Sequence, residues 1–393
     1  MLNFGKSTET FVFYDTNRRF ICFSGSLPLK EPINLQKSNQ MKVIILLLKI
    51  ILFPLYGLYY AVIFLRNWLF DAGFMKSISP KVLTINIGNL SLGGTGKTPH
   101  VEYLVRLLSD KYKVSTLSRG YGRKTKGFIL ANEQATAETI GDEPMQYYLK
   151  FKDKINIVVC ENRVEGVDEI QKKFVDNQII ILDDAFQHRK IAPHLNLLLS
   201  DYSKPFYDDS LVPFGRLRDI RQSAKRADAI IITKCPSQLT EEEKEKIRRE
   251  VWIYTKADIS VFFSKIRYQK VMGYVETATF NEKQNIGVLT AIAKPEVFMK
   301  YLSDKSLKTE KIFDFPDHHA FSRKDIDKII KESHENLQII TTEKDMVKLK
   351  PQLSESELKR FFYVPIEIEI ENKTTFDELI NAEIHSFYKE NSR

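Results

Sequence analysis

The feature that most narrows the fold is the run Gly93, Gly94, Thr95, Gly96, Lys97 and Thr98. It lies between KVLTINIGNL, β-branched and strand-like, and HVEYLVRLLSD, amphipathic with a helical period. A strand, a glycine turn and a helix in that order is the setting of a phosphate-binding loop, or P-loop. The glycines let backbone N–H groups turn inward on phosphate oxygens, and the helix N-terminus adds partial positive charge. Lys97 is placed to reach the β/γ oxygens of a nucleotide and Thr98 to ligate Mg²⁺. Ser91 stands where the general pattern has its first glycine.

Such a loop needs a second acid on a neighbouring strand, and Asp183 and Asp184 end the apolar run IIILDD at the expected place. A helix N-cap would also put Asp there. Further apolar strands recur at KVSTL, INIVVC, LNLLLSD and AIIITK with helical or polar intervals, which predicts a mostly parallel sheet covered by helices. The expected fold is α/β: a P-loop NTPase-like sheet sandwiched by helices over residues 76–260, a β linker at 261–280 and a second, smaller α/β domain at 281–375. A C-terminal helix or tail follows at 376–393.

The chain changes character abruptly at Met41, where MKVIILLLKIILFPLYGLYYAVIFLRNW begins with a basic residue and becomes strongly apolar. Residues 1–40 are polar and irregular, and are expected to be a disordered or mis-started extension. Residues 41–75 are expected to form a membrane-associated helix. Only 16 residues, Ile50 to Leu65, are free of charge, fewer than the roughly 20 needed to span a bilayer. Pro54, Gly57, Lys42, Lys49 and Arg66 suit a helix held at the headgroup level rather than one that spans.

A net charge of +8 favours anionic partners, but no groove-reading motif accompanies it, so no nucleic-acid partner is expected. Cys22, Cys160 and Cys235 are too scattered for a disulfide framework or a zinc site. A GTP-driven switch or metallochaperone is the alternative reading, because TKCP at Thr233–Pro236 follows a strand as a guanine-reading loop would. Pro236 occupies the position of the Asp that reads the base, which favours ATP.

Seven motifs in order, NIGNLSLGGTGKTP, LSRGYGRK, GDEP, DDAFQHR, FGRLRD, DHHAF and TTEKD, closely resemble the tetraacyldisaccharide 4'-kinases of lipid A synthesis from Met41 onward. Ala185, where that family more often has Gly, is a departure. The resemblance implies transfer of the γ-phosphate of ATP, with Mg²⁺, to the 4'-hydroxyl of a membrane glycolipid, a disaccharide 1-phosphate, forming lipid IVA. It implies a peripheral or monotopic enzyme at the cytoplasmic face of the bacterial inner membrane. Asp142 would be the general base, His318 would assist or orient it, and Glu143 would be a Mg²⁺ or outer-sphere partner. Arg218 and Arg119 would bind phosphate, although Arg119 also suits a surface ion pair. Lys344 and Asp345 of TTEKD stand at a strand end, as ligand residues or as an internal ion pair.

Overall fold

The computed structural model describes residues 12–14, 20–22, 35–317 and 319–391, with side chains from residue 50 onward. Two units divide at Pro54. In the first, Val12–Tyr14 pairs antiparallel with Phe20–Cys22, and the helix Leu35–Asp71 begins. The rest of the expectation for residues 1–40 lies outside the described residues.

In the second unit a nine-stranded sheet is built on Leu83–Asn89. On one side of it run Leu195–Asp201, Ala229–Thr233, Ser260–Tyr268 and Ile366–Ile370; on the other run Ile179–Asp183, Val114–Ser118, Asn156–Val159 and Ile129–Leu130. All neighbours are parallel except at the two edges. The four strands around the centre are buried along their whole length, the expected state of parallel strands covered on both faces. One face packs Ile85, Ile181 and Leu197 against Leu104 and Val105 of the helix Lys97–Leu108. The opposite face packs Leu198, Ile230 and Ile232 against Phe186, Val251 and Ile63.

A second sheet, five-stranded, has the order Met272–Gly273, Phe361–Val364, Gln338–Thr342, Ile286–Thr290, Thr309–Asp314. Its core of Leu289, Phe313, Ile326, Ile339 and Phe361 also receives Met145 from the first body.

Three segments lie elsewhere than the sequence pattern suggested. Ser260–Tyr268, expected within a linker at 261–280, pairs parallel with Ala229–Thr233 and antiparallel with Ile366–Ile370. Phe262, Phe263 and Ser264 are consecutively buried, so both faces of this strand are covered. Ile366–Ile370, expected in the second domain, is therefore an edge of the first sheet, and the helix Lys373–Asn391 sends Phe376, Ile380 and Ile384 into the first core. The chain crosses to the second sheet and returns. Partner choice across about a hundred residues is set by nonlocal pairing, which a strand's own sequence does not encode.

Candidate active site

The loop between Asn89 and Lys97 is braced from three directions. Asn89 Nδ2 donates to Thr95 Oγ1 at 2.8 Å, Thr233 Oγ1 donates to the Thr95 carbonyl at 2.9 Å, and Lys234 Nζ donates to the Gly94 carbonyl while pairing with Asp201 at 2.9 Å. A Cβ at Gly93 or Gly94 would meet nothing within 4 Å, so the cradle above these two residues is open to a ligand. Lys97 and Thr98 open the helix Lys97–Leu108, and Lys97 Nζ lies 3.7 Å from Asp184 Oδ2.

Asp183 is the last residue of the strand beside the P-loop strand, paired in register with Ile87. It accepts from Tyr147 Oη at 3.0 Å and Ser118 Oγ at 3.3 Å. Burial, then the charge of Asp184, push its carboxyl up to about 6. Asp184 follows at φ 56°, outside the strand. Burial would raise its pKa too, but Lys97 and Arg218 outweigh that and hold it below the ordinary carboxylate range. Arg218 grips both Asp184 oxygens, with Nη1 to Oδ2 at 3.0 Å, and also bonds Asn89. In this structure Arg218 is thus an ion-pair partner of the acid pair.

Asp142 and Glu143 begin the helix Asp142–Phe151, both half-buried, directly after Gly141. Gly141 has φ +96°, and a Cβ there would come within 3.1 Å of the Gly120 Cα and the Tyr121 carbonyl. Gly120, at φ +70°, would in turn meet the Ile140 carbonyl at 2.8 Å. The GDEP and RGYGR turns therefore touch backbone to backbone, and only glycine permits it. That contact brings the Asp142 helix start against the turn that holds the exposed Arg119.

His318 lies outside the described residues. Of its neighbours, Asp317 lies 3.6 Å from Lys344 Nζ, and His319 is engaged locally, stacked on Phe315 at 4.7 Å and 3.2 Å from Asp325. Asp345 accepts from Thr342 Oγ1 at 2.7 Å and from the Ala291 N–H at 3.0 Å, and pairs with Lys348 at 3.4 Å, so it is an internal structural acid.

Sequence reasoning missed Asn89, Lys234 and His100, because each has a partner far away in sequence: Arg218, Gly94 and Ser264 respectively. His100 sits in the first turn of the P-loop helix, completely buried, with Nδ1 2.7 Å from the Gly96 carbonyl and Nε2 3.0 Å from Ser264 Oγ. A Nδ1–H donor and a Nε2 acceptor satisfy both contacts with a neutral ring. Burial lowers its pKa from 6.5 to about 4. The unfolded chain takes up this proton near pH 6.5 and the folded one only near pH 4. The contribution to stability is full above pH 6.5 and is lost as pH falls towards 4. Without nucleotide or metal, His100→Asn is expected to lose roughly 1–2 kcal/mol less stability than wild type between pH 7 and pH 5. Urea denaturation at both pH values checks this; equal losses would remove the assignment.

A cavity of about 420 Å³ opens between the Cys235–Thr240 loop and Lys244, Ser264, Lys265 and Glu369, next to the Lys234 brace. The donor set fits a nucleotide phosphate and its metal. Mg²⁺ takes one or two carboxylates with phosphate oxygens and waters rather than an all-protein cage. Thr98, Asp183 and Asp184 offer such oxygens, with Glu143 near enough to Asp183 to raise its pKa. Among the described residues no group of three His, Cys, Asp or Glu forms a cage of its own.

A braced glycine loop with its lysine beside an acid pair, on a nine-stranded sheet whose seven inner strands are parallel, defines a protein of the P-loop nucleoside-triphosphate-binding class. A family model described as tetraacyldisaccharide-1-P 4'-kinase matches residues 48–385. The Tetraacyldisaccharide 4'-kinase of Flavobacterium johnsoniae is 42% identical over 351 residues, covering 88% of this chain and 98% of that protein. The one from Bacteroides thetaiotaomicron is 41% identical over 365 residues, covering 87% and 94%. A crystal structure of the "apo" form of LpxK from Aquifex aeolicus in complex with ATP superposes with a TM-score of 0.69 at 28% identity, covering 86% of this chain and 99% of that one. The chain belongs to the tetraacyldisaccharide-1-phosphate 4'-kinase family. It is accordingly an ATP- and Mg²⁺-dependent kinase of lipid A biosynthesis, with a lipid disaccharide phosphate as its substrate class.

Proposed function

We propose that this chain moves the γ-phosphate of ATP onto the 4'-hydroxyl of a tetraacyldisaccharide 1-phosphate at the cytoplasmic surface of the inner membrane, with Asp142 as the base. The observation that carries the assignment is the bond from Tyr147 Oη to Asp183. It ties the helix that begins at Asp142 to the acid pair beside Lys97, so acceptor chemistry and phosphate chemistry share one site.

The backbone of Gly93–Gly96 and Lys97 would hold the β/γ phosphates, and Thr98 with one acid of the Asp183–Asp184 pair would hold Mg²⁺, with Glu143 as its outer-sphere partner. The metal supplies charge neutralisation on the phosphate oxygens. Asp142 accepts the proton of the sugar hydroxyl late, as the O–P bond forms and the bond to ADP breaks, so it chiefly orients the nucleophile. His318, in the family pattern, would orient Asp142 or take that proton onward. Arg218 neutralises Asp184 and Arg119 is open to an anionic group of either substrate. The cavity at Cys235–Thr240 is the place we assign to the base of the nucleotide.

Support for membrane delivery comes from the helix Ile50–Asp71, long and apolar enough to cross a bilayer. Its two sides differ. Leu55, Leu58, Val62 and Leu65 are more than half exposed, at helical spacing. The other side is held by protein: Tyr56 stacks on Phe214 at 5.0 Å, Tyr59 Oη donates to the Arg218 carbonyl at 3.2 Å, and Asn67 Nδ2 donates to Asp219 at 2.8 Å. A helix bonded along one side to a polar body lies against the interface, with its apolar side in lipid.

The test supplies γ-labelled ATP with the disaccharide 1-phosphate either in detergent micelles or in phosphatidylethanolamine–phosphatidylglycerol vesicles. Wild type should label the 4' position in both. A Leu58→Ser, Val62→Ser, Leu65→Ser variant should retain most transfer in micelles and lose at least about tenfold in vesicles, since each buried apolar side chain contributes roughly 1.5–3 kcal/mol. ATP hydrolysis without lipid labelling would overturn the acceptor assignment. Equal transfer by the triple variant in vesicles would overturn the docking role.

A further inference from the structure

Three helices meet over a buried charge cluster that phosphate and metal binding leave unused. Glu102 comes from the P-loop helix, Gln146 and Lys150 from Asp142–Phe151, and Glu343 from the start of Glu343–Leu349 on the second sheet. Lys150 Nζ lies 2.7 Å from Glu102 Oε2 and 2.6 Å from Glu343 Oε1. Gln146 Nε2 donates to Glu102 Oε1 at 2.8 Å and to Glu343 Oε2 at 3.3 Å, and Arg106 Nη2 donates to Glu102 Oε2 at 3.0 Å. Glu102 and Glu343 are both buried.

Two carboxylates and two cations balance here, yet desolvating them leaves little net stability. What the cluster supplies is geometry, because displacing any member strands a buried charge. Helical spacing shows which geometry. Asp142, Gln146 and Lys150 stand at i, i+4 and i+8, on one face; Thr98, Glu102 and Arg106 do the same on the P-loop helix. The stitched faces are therefore those whose leading residues are Asp142 and Thr98. Lys150 is about 12 Å along the helix from Asp142, so movement at one end is transmitted to the other.

We propose that Glu343 is a positioning residue for phosphoryl transfer. Through Lys150 and Gln146 it holds the Asp142 helix in register against the P-loop helix, and so sets Asp142 relative to the transferring phosphate. The inference rests on the assignment of Asp142 as the base. Glutamine at 343 keeps the side chain's shape while removing the charge that holds Lys150, so the variant tests the ion pair rather than the packing.

The experiment compares Glu343→Gln, Lys150→Met and Asp142→Asn, singly and with each of the first two combined with the third, by transfer kinetics and thermal unfolding. Glu343→Gln is expected to lower kcat at least about tenfold while KM for ATP stays within about twofold, since small misplacement of reacting groups is costly. In the Asp142→Asn background the same change should lower the residual rate less than about twofold, because residues acting through one group are not additive. An equal fold-loss in both backgrounds, or an unchanged kcat, overturns the proposal. Should Glu343→Gln fail to fold, Lys150→Met carries the same comparison. If Asp142→Asn alone keeps the wild-type rate, it is the base assignment that fails.

Discussion

Replacing Lys97 with alanine is expected to lower kcat/KM for ATP by roughly 10²–10³, the usual consequence of removing one preorganised charge from a developing transition state. The ammonium lies beside Asp184 at the lip of the open glycine cradle, where charge builds on the transferred group. Folding should be little affected. Asp184 keeps Arg218, which grips both of its oxygens, so no buried carboxylate is stranded. Lys97→Arg should not restore the rate, because a planar fork does not replace a compact point charge. The measurement is label transfer at varied ATP, with thermal unfolding alongside. A Lys97→Ala enzyme that keeps more than about a tenth of wild-type kcat/KM would falsify the role.

Asp142→Asn is expected to lower kcat by roughly 10²–10⁴, the range for a positioned acid or base, with KM for ATP nearly unchanged. Asparagine preserves the size of the side chain at the helix start. The lost charge at the helix N-terminus is worth only about 0.3–1 kcal/mol of stability. The variant should therefore bind nucleotide and fold as wild type does while the chemical step slows. A rise in KM for ATP with kcat intact would instead place Asp142 in nucleotide binding. The two variants thus separate the two halves of the site: Lys97 acts on the phosphate, Asp142 on the acceptor.

The parts of the site that stand on consecutive residues were legible early. Gly93 to Thr98 sit between a period-2 strand and a period-3.6 helix, and Asp183–Asp184 terminate a five-residue apolar strand. In each case the chemistry is written within one element and its flanking turn. The braces were not legible. Lys234 reads as the second residue of a base-recognition loop, TKCP, yet its ammonium reaches back to the Gly94 carbonyl and Asp201. His100 reads as one polar residue on a helix, yet it joins Gly96 to Ser264 on a strand 164 positions away. Arg218 was expected on phosphate, and its observed partners are Asp184 and Asn89.

The sequence by itself determined the phosphate loop, the acid pair, the parallel sheet and the apolar N-terminal helix, because hydrophobic period and turn chemistry are local properties of the chain. Only the tertiary structure decided that Ser260–Tyr268 and Ile366–Ile370 complete the first sheet. It alone decided that the Gly120 and Gly141 turns touch, and that Glu102, Lys150 and Glu343 close over one another. These are contacts between residues tens to hundreds of positions apart. Their partners are selected by which buried surfaces and charges can be satisfied together, a condition that exists only once the core has formed.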